Sequence, residues 1–103
     1  MRRTDLEQII KANPAGVTLY RSGLFSPDHG YIVAESGALS LTGAIARLKH
    51  GKLVRGWIDS VTGKFALEAV VYIHLQKGWA LALAKENGKK AIYGFAEKAV
   101  IYV

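Results

Sequence analysis

The chain has 103 residues, half of them hydrophobic and 21% charged, carries a net charge of +6 and contains no cysteine. That length predicts one domain with one core, and the composition excludes intrinsic disorder. The lack of cysteine excludes disulfides, zinc–thiolate sites and iron–sulfur ligation, and implies a reducing compartment.

At the start, Thr4-Asp5-Leu6-Glu7 has the spacing of a capping box, in which hydroxyl and carboxylate satisfy free amides at a helix start. The helix it opens carries Leu6, Ile9 and Ile10 on one face, and Asn13-Pro14 ends it. A helix so short does not persist alone in water, so it must dock on an apolar surface. The N-terminus runs into this polar helix, with no long apolar stretch behind it. No signal peptide or membrane span is predicted, which places the protein in the cytoplasm.

Gly16–Tyr20 reads as a short edge strand, and Arg21–Gly30, which contains Ser26-Pro27-Asp28-His29-Gly30, as loop. Tyr31–Glu35 is a predicted strand that Ser36-Gly37 breaks. Leu41, Ala44, Ile45 and Leu48 then fall at i, i+3, i+4 and i+7, the stripe of an amphipathic helix. Ser40 or Thr42 caps its start, and Gly51 stands where a helix ends in the left-handed conformation. Strands Leu53–Asp59 and Phe65–Ile73 meet at Thr62-Gly63 as a hairpin. In the second, Phe65, Leu67, Ala69, Val71 and Ile73 alternate onto one face, against Glu68, Val70 and Tyr72 on the other. A helix over about Leu75–Asn87 groups Trp79, Ala82 and Leu83, with Leu81 on the wet side beside Lys77 and Lys85. Strands Lys90–Phe95 and Ala99–Val103 close the chain as a second hairpin.

From Tyr31 to Phe95 the order is strand–helix–strand–strand–helix–strand. This predicts an α+β fold of the ferredoxin-like, split βαβ kind, with an added N-terminal helix and a C-terminal strand.

Nothing in the sequence has catalytic spacing. His29, His50 and His74 show no metal-ligand pattern, and Asp59 and Glu68 are expected to pair with Arg55 instead of facing each other as acid and base. Thr62-Gly63-Lys64 sits in a hairpin turn and not at a helix start, so it is no phosphate loop. The reading is a non-enzymatic protein without cofactor or metal.

Binding is the remaining class. Positive charge gathers in Arg47, Lys49, Lys52, Arg55 and Lys64, opposed only by Asp59, and again in Lys85, Lys89, Lys90 and Lys98. Such a surface attracts nucleic acid or an acidic protein, or merely solubilises. For a protein partner the expected contact set is Arg47, Lys49, Lys52, Arg55, Trp57, Tyr72 and Leu81, aromatic anchors within a charged rim. For single-stranded nucleic acid it is Arg55, Trp57, Tyr72, Tyr93, Phe95, Lys89 and Lys90 on a helix-free sheet face. The competing expectation is that the N-terminal helix covers those aromatics and makes a second small core. Strand Ala99–Val103 is in addition a candidate for edge-to-edge self-association.

Three motifs occur in order: Gly30-Tyr31-Ile32-Val33-Ala34; Gly56-Trp57 followed by Thr62-Gly63-Lys64-Phe65; and Asn87-Gly88-Lys89-Lys90-Ala91-Ile92-Tyr93. The series resembles a small module of phage and conjugative mobile-element proteins. It departs from that pattern at Lys89, where glutamine is usual, at Gly94, where aspartate is usual, and in the Trp-Ala-Leu-Ala-Leu-Ala run of its second helix. The resemblance implies a mobile-element setting and a protein that occupies a host surface, such as a counter-defence inhibitor of CRISPR or restriction machinery.

Overall fold

The computed structural model describes residues 1–35 and 37–103, among which three helices and seven strands form an α+β protein. In chain order these are α1 (Arg3–Ala12), β1 (Val17–Tyr20), β2 (Gly23–Leu24), β3 (Tyr31–Ala38), α2 (Leu41–Lys49), β4 (Leu53–Ile58), β5 (Phe65–Ile73), α3 (Lys77–Glu86), β6 (Ala91–Gly94) and β7 (Ala99–Tyr102). The strand order is β2-β1-β4-β5-β3-β6-β7, and β1/β2, β1/β4, β3/β6 and β6/β7 pair antiparallel. Strand β1 is therefore not an edge. β2, inside the expected loop, lies outside it with Leu19 opposite Leu24. β3 runs past Gly37, and the expected break at Ser36 lies outside the described residues.

Local chemistry explains the helix ends. The Ser40 hydroxyl accepts the Gly43 amide at 3.0 Å and starts α2. At its end Gly51 takes φ 74°, its amide bonds the Leu48 carbonyl, and the Lys52 amide bonds the Arg47 carbonyl. That pair of hydrogen bonds is the Schellman stop. The same arrangement closes α3, where the Gly88 amide bonds Lys85 and the Lys89 amide bonds Ala84. Helix α1 departs from expectation. It begins at Arg3, and Asp5, not Glu7, returns to the cap by accepting the Arg2 amide at 3.3 Å. Glu7 pairs with Arg3 one turn away (3.2 Å).

Where one core is predicted, two clusters of buried side chains form, one in each of two compact units, Met1–Phe25 with Gly37–Ala69 and Ser26–Ser36 with Val70–Val103. The first unit buries Leu6 and Ile10 of α1 with Leu19, Ala44, Leu48, Val54 and Leu67. Helices α1 and α2 thus share one face of the sheet. The expectation that α1 lies over the other face, on the aromatics, is wrong. Gly56 eases the docking: a Cβ there would meet Ile10 Cδ1 at 2.7 Å and force that side chain to shift, so glycine suits this close approach.

The second unit buries Val33, Ala80, Ala84 and Ile92, with Tyr31, Val71, Ile73, Leu81, Leu83 and Ile101 packed around them. This corrects the expected face of α3. Its first helical residue is Lys77, so Leu75 precedes the helix, and both Leu75 and Trp79 are about three-quarters exposed (73% and 70%). Ala80 and Ala84 face inward because small side chains let the helix approach β6 closely. The Asn87 side-chain amide then fastens the helix end to the Ala34 carbonyl at 3.1 Å.

The β4–β5 turn is held by Asp59. Its Oδ1 accepts the amides of Val61 (2.8 Å) and Thr62 (3.0 Å), while Gly63 supplies φ 70°. These bonds, led by Thr62, hold the Asp59 carboxyl below its ordinary range. A group with a depressed folded-state pKa contributes stability above the ordinary carboxylate pKa and loses it as pH falls through the depressed value. Asp59→Asn should therefore flatten the acid limb of the stability–pH curve, read by urea unfolding at stepped pH. An unchanged limb would remove Asp59 from this role.

Candidate binding surface

The first unit holds nine Lys and Arg residues against four Asp and Glu, and the second holds five against four. Positive charge therefore belongs mainly to the first unit. Because Val54, Gly56 and Ile58 of β4 turn toward α1 and α2, strand alternation puts Arg55 and Trp57 on the opposite face. Thr18 joins them there, directly across from Arg55. Among the described residues of this unit no helix packs on that face.

Arg55 and Trp57 act as a pair. The guanidinium carbon lies 5.8 Å from the indole centroid, within cation–π range, and the head lies close over the backbone at Gly16. Trp57 also forms one wall of an open cleft of about 540 Å³, lined by Pro14, Ala15, Ile58, Asp59 and Ser60. The Pro14 carbonyl accepts the Ile58 amide at 3.0 Å, which fixes the far wall to β4. The cleft can take a flat apolar ring against indole, with a cation beside it for an attached anion. A similar pair stands at the end of β1, where Arg21 of the following turn lies 5.6 Å from the Tyr20 ring.

The remaining expected residues divide. Lys49 and Lys52 are exposed near the end of α2. Arg47 is drawn into the fold, its Nε donating to the Leu53 carbonyl at 2.7 Å. Leu81, expected on the wet face, packs against the second core and offers no anchor. Lys89 is half-buried in the α3 stop, and Lys90 is exposed at the start of β6.

Tyr72, Tyr93 and Phe95 do come together, in the second unit, on the face away from α3. Phe95 meets Tyr72 at 6.0 Å and Tyr93 at 5.4 Å, both edge to face. They form a wall rather than a platform. Phe95 is only 9% exposed, and the Tyr72 hydroxyl donates to the His29 carbonyl at 2.6 Å. Burial, followed by the nearby Asp28 charge, pushes the Tyr72 hydroxyl up from its ordinary pKa. The second small core expected here, with α1 laid over these rings, does not form, since Leu6 and Ile10 belong to the first cluster. The His29–Gly30 loop lies against Tyr72 and Phe95 instead.

Two features escape sequence reasoning. His29 and His74, 45 positions apart in the chain, meet with ring centroids 4.7 Å apart and their planes tilted by 50°, and Asp28 Oδ1 lies 2.6 Å from His29 Nδ1. That contact holds the Asp28 carboxyl below its usual range. Exposed Trp79 and Leu75 also line a groove of about 300 Å³ with Tyr72, Ile73, His74 and Gln76.

Among the described residues no helix is long and apolar enough to cross a membrane. Comparison with protein-family models, curated proteins and solved structures finds no match to this chain.

Proposed function

We propose that the chain is a non-enzymatic, cytoplasmic binding protein that takes single-stranded nucleic acid on the helix-free face of its first unit. The observation that carries this reading is the Arg55–Trp57 pair beside an open cleft, in the unit that bears most of the positive charge. A base stacks on Trp57 within the cleft while its phosphate is met by Arg55, with Lys49, Lys52 and Arg21 supplying the diffuse field. The succession β4-β5-β3-β6 is the order of a split βαβ sheet, so we assign the ferredoxin-like plan, flanked by β1 and β2 at one side and β7 at the other.

The test is a salt-titrated binding assay with single-stranded and duplex DNA and RNA. Single strands should be preferred, and affinity should fall steeply with salt. Trp57→Ala should weaken binding by about 1–3 kcal/mol, and Arg55→Ala should reduce the salt slope by about 0.7. Trp79→Phe leaves Trp57 as the sole indole, whose fluorescence should quench on binding.

Absence of binding at physiological salt would overturn this reading. It would favour a second, to which the groove at Leu75 and Trp79 points: a mobile-element protein that covers a host protein surface, including a counter-defence inhibitor.

A further inference from the structure

Strand β7 ends the sheet order, and its outer edge is built unlike a protected one. Native edges are blunted by lysine, proline, bulges or shortness. The opposite edge, β2, has only two residues. By contrast Ala99-Val100-Ile101-Tyr102-Val103 contains no charge, proline or glycine, and Val100 (50%) and Tyr102 (77%) are strongly exposed.

The hydrogen-bond phase of this edge is fixed. The Val103 amide donates to the Lys90 carbonyl at 2.9 Å, and Ile101 stands opposite Ile92 and Ala99 opposite Gly94. In an antiparallel ladder every second residue bonds the same neighbour. Ala99, Ile101 and Val103 thus spend their backbone groups on β6, and Val100 and Tyr102 aim theirs outward.

We infer that β7 pairs antiparallel with β7 of a second copy of this chain, about a two-fold axis through Ile101. In that register Val100 of each copy faces Tyr102 of the other. Every outward amide and carbonyl of these residues finds a partner, and an aromatic side chain meets a β-branched one across each pair. Ile101 meets Ile101 as the pair without hydrogen bonds. The register centred on Val100 fails, because it sets Tyr102 against Lys98, whose φ of 52° places it in the turn. The segment is thus complementary to itself in phase, in side chains and in lack of charge, which selects a second copy over an unrelated strand. This interface is separate from the Arg55–Trp57 cleft and stands whether or not that cleft binds nucleic acid.

Sedimentation and amide exchange of the unmodified chain, over a roughly hundredfold range of concentration, test it. A dimer should grow with concentration, and exchange at the Val100 and Tyr102 amides should slow in step. Val100→Lys with Tyr102→Lys should return the monomer with an unchanged circular dichroism spectrum. Oxidised Ile101→Cys should cross-link, since pairs without hydrogen bonds hold their Cα atoms about 4.5 Å apart, and Val100→Cys should not. A monomer throughout, or a dimer in which those two amides still exchange fast, would overturn the inference.

Discussion

Leu6→Ala is expected to lower stability by about 2–5 kcal/mol, a large fraction of the roughly 5–15 kcal/mol that holds a domain of ordinary size. The effect follows from the weakness of α1 by itself. Ten residues make a helix below the length that persists in water, and its ion pairs, Arg2–Asp5 and Arg3–Glu7, lie at the surface, where each contributes about 0–1 kcal/mol. What keeps α1 formed is the burial of Leu6 and Ile10, both wholly inaccessible, against Leu19, Leu48, Val54 and Leu67. Shortening Leu6 opens a cavity in that contact, and the rigid sheet beneath cannot close it. Urea unfolding should show a lower midpoint with an unchanged slope, and exposed Gln8→Ala should leave the midpoint nearly in place. A loss below about 1 kcal/mol for Leu6→Ala would mean that α1 is not docked here. It would then be free to cover Arg55 and Trp57, and the proposed cleft would fall with it.

What the sequence makes legible is what neighbours along the chain decide. The stops at Gly51 and at Asn87-Gly88 are legible because a left-handed glycine, the preceding turn and the next amide are all local. The phase of β5 is legible because Leu67, Val71 and Ile73 alternate with Glu68 and Tyr72 whatever packs above them. The side of the sheet that receives α1 is not local. Gly56 held the clue: a glycine inside a strand marks a close approach, and its Cβ position is filled by Ile10. Helix α3 misleads for a different reason. Its largest apolar side chain, Trp79, suggests the buried face, whereas close contact with β6 selects Ala80 and Ala84. Leu81 follows those alanines inward and leaves the expected contact set. Arg55 and Trp57 are legible as a pair since they share a strand face two residues apart. The cleft beside them depends on Pro14 and Ala15, some forty positions away in the sequence.

The part of Tyr72 in the molecule can be decided by one substitution at its neighbour. Gly30 has φ 91°, a conformation that strains any residue with a Cβ, by roughly 1–2 kcal/mol. A Cβ at this place would also stand 2.5 Å from Tyr72 Cε1 and from its hydroxyl oxygen, and forcing the ring aside should add about 1–3 kcal/mol. Nor can the backbone yield freely, because the Gly30 carbonyl accepts the Phe95 amide at 3.0 Å and the His29 carbonyl accepts the Tyr72 hydroxyl. Gly30→Ala should therefore destabilise the chain by about 2–5 kcal/mol, the sum of the two effects. In a Tyr72→Ala background the steric part disappears and only the backbone part remains, so the two substitutions should be strongly non-additive. Thermal or urea unfolding of the four chains gives the coupling directly. Strong coupling makes Tyr72 a pillar under the His29–Gly30 loop, committed to the fold and withdrawn from any partner. Additive losses would detach the ring from Gly30 and return Tyr72 to the binding face.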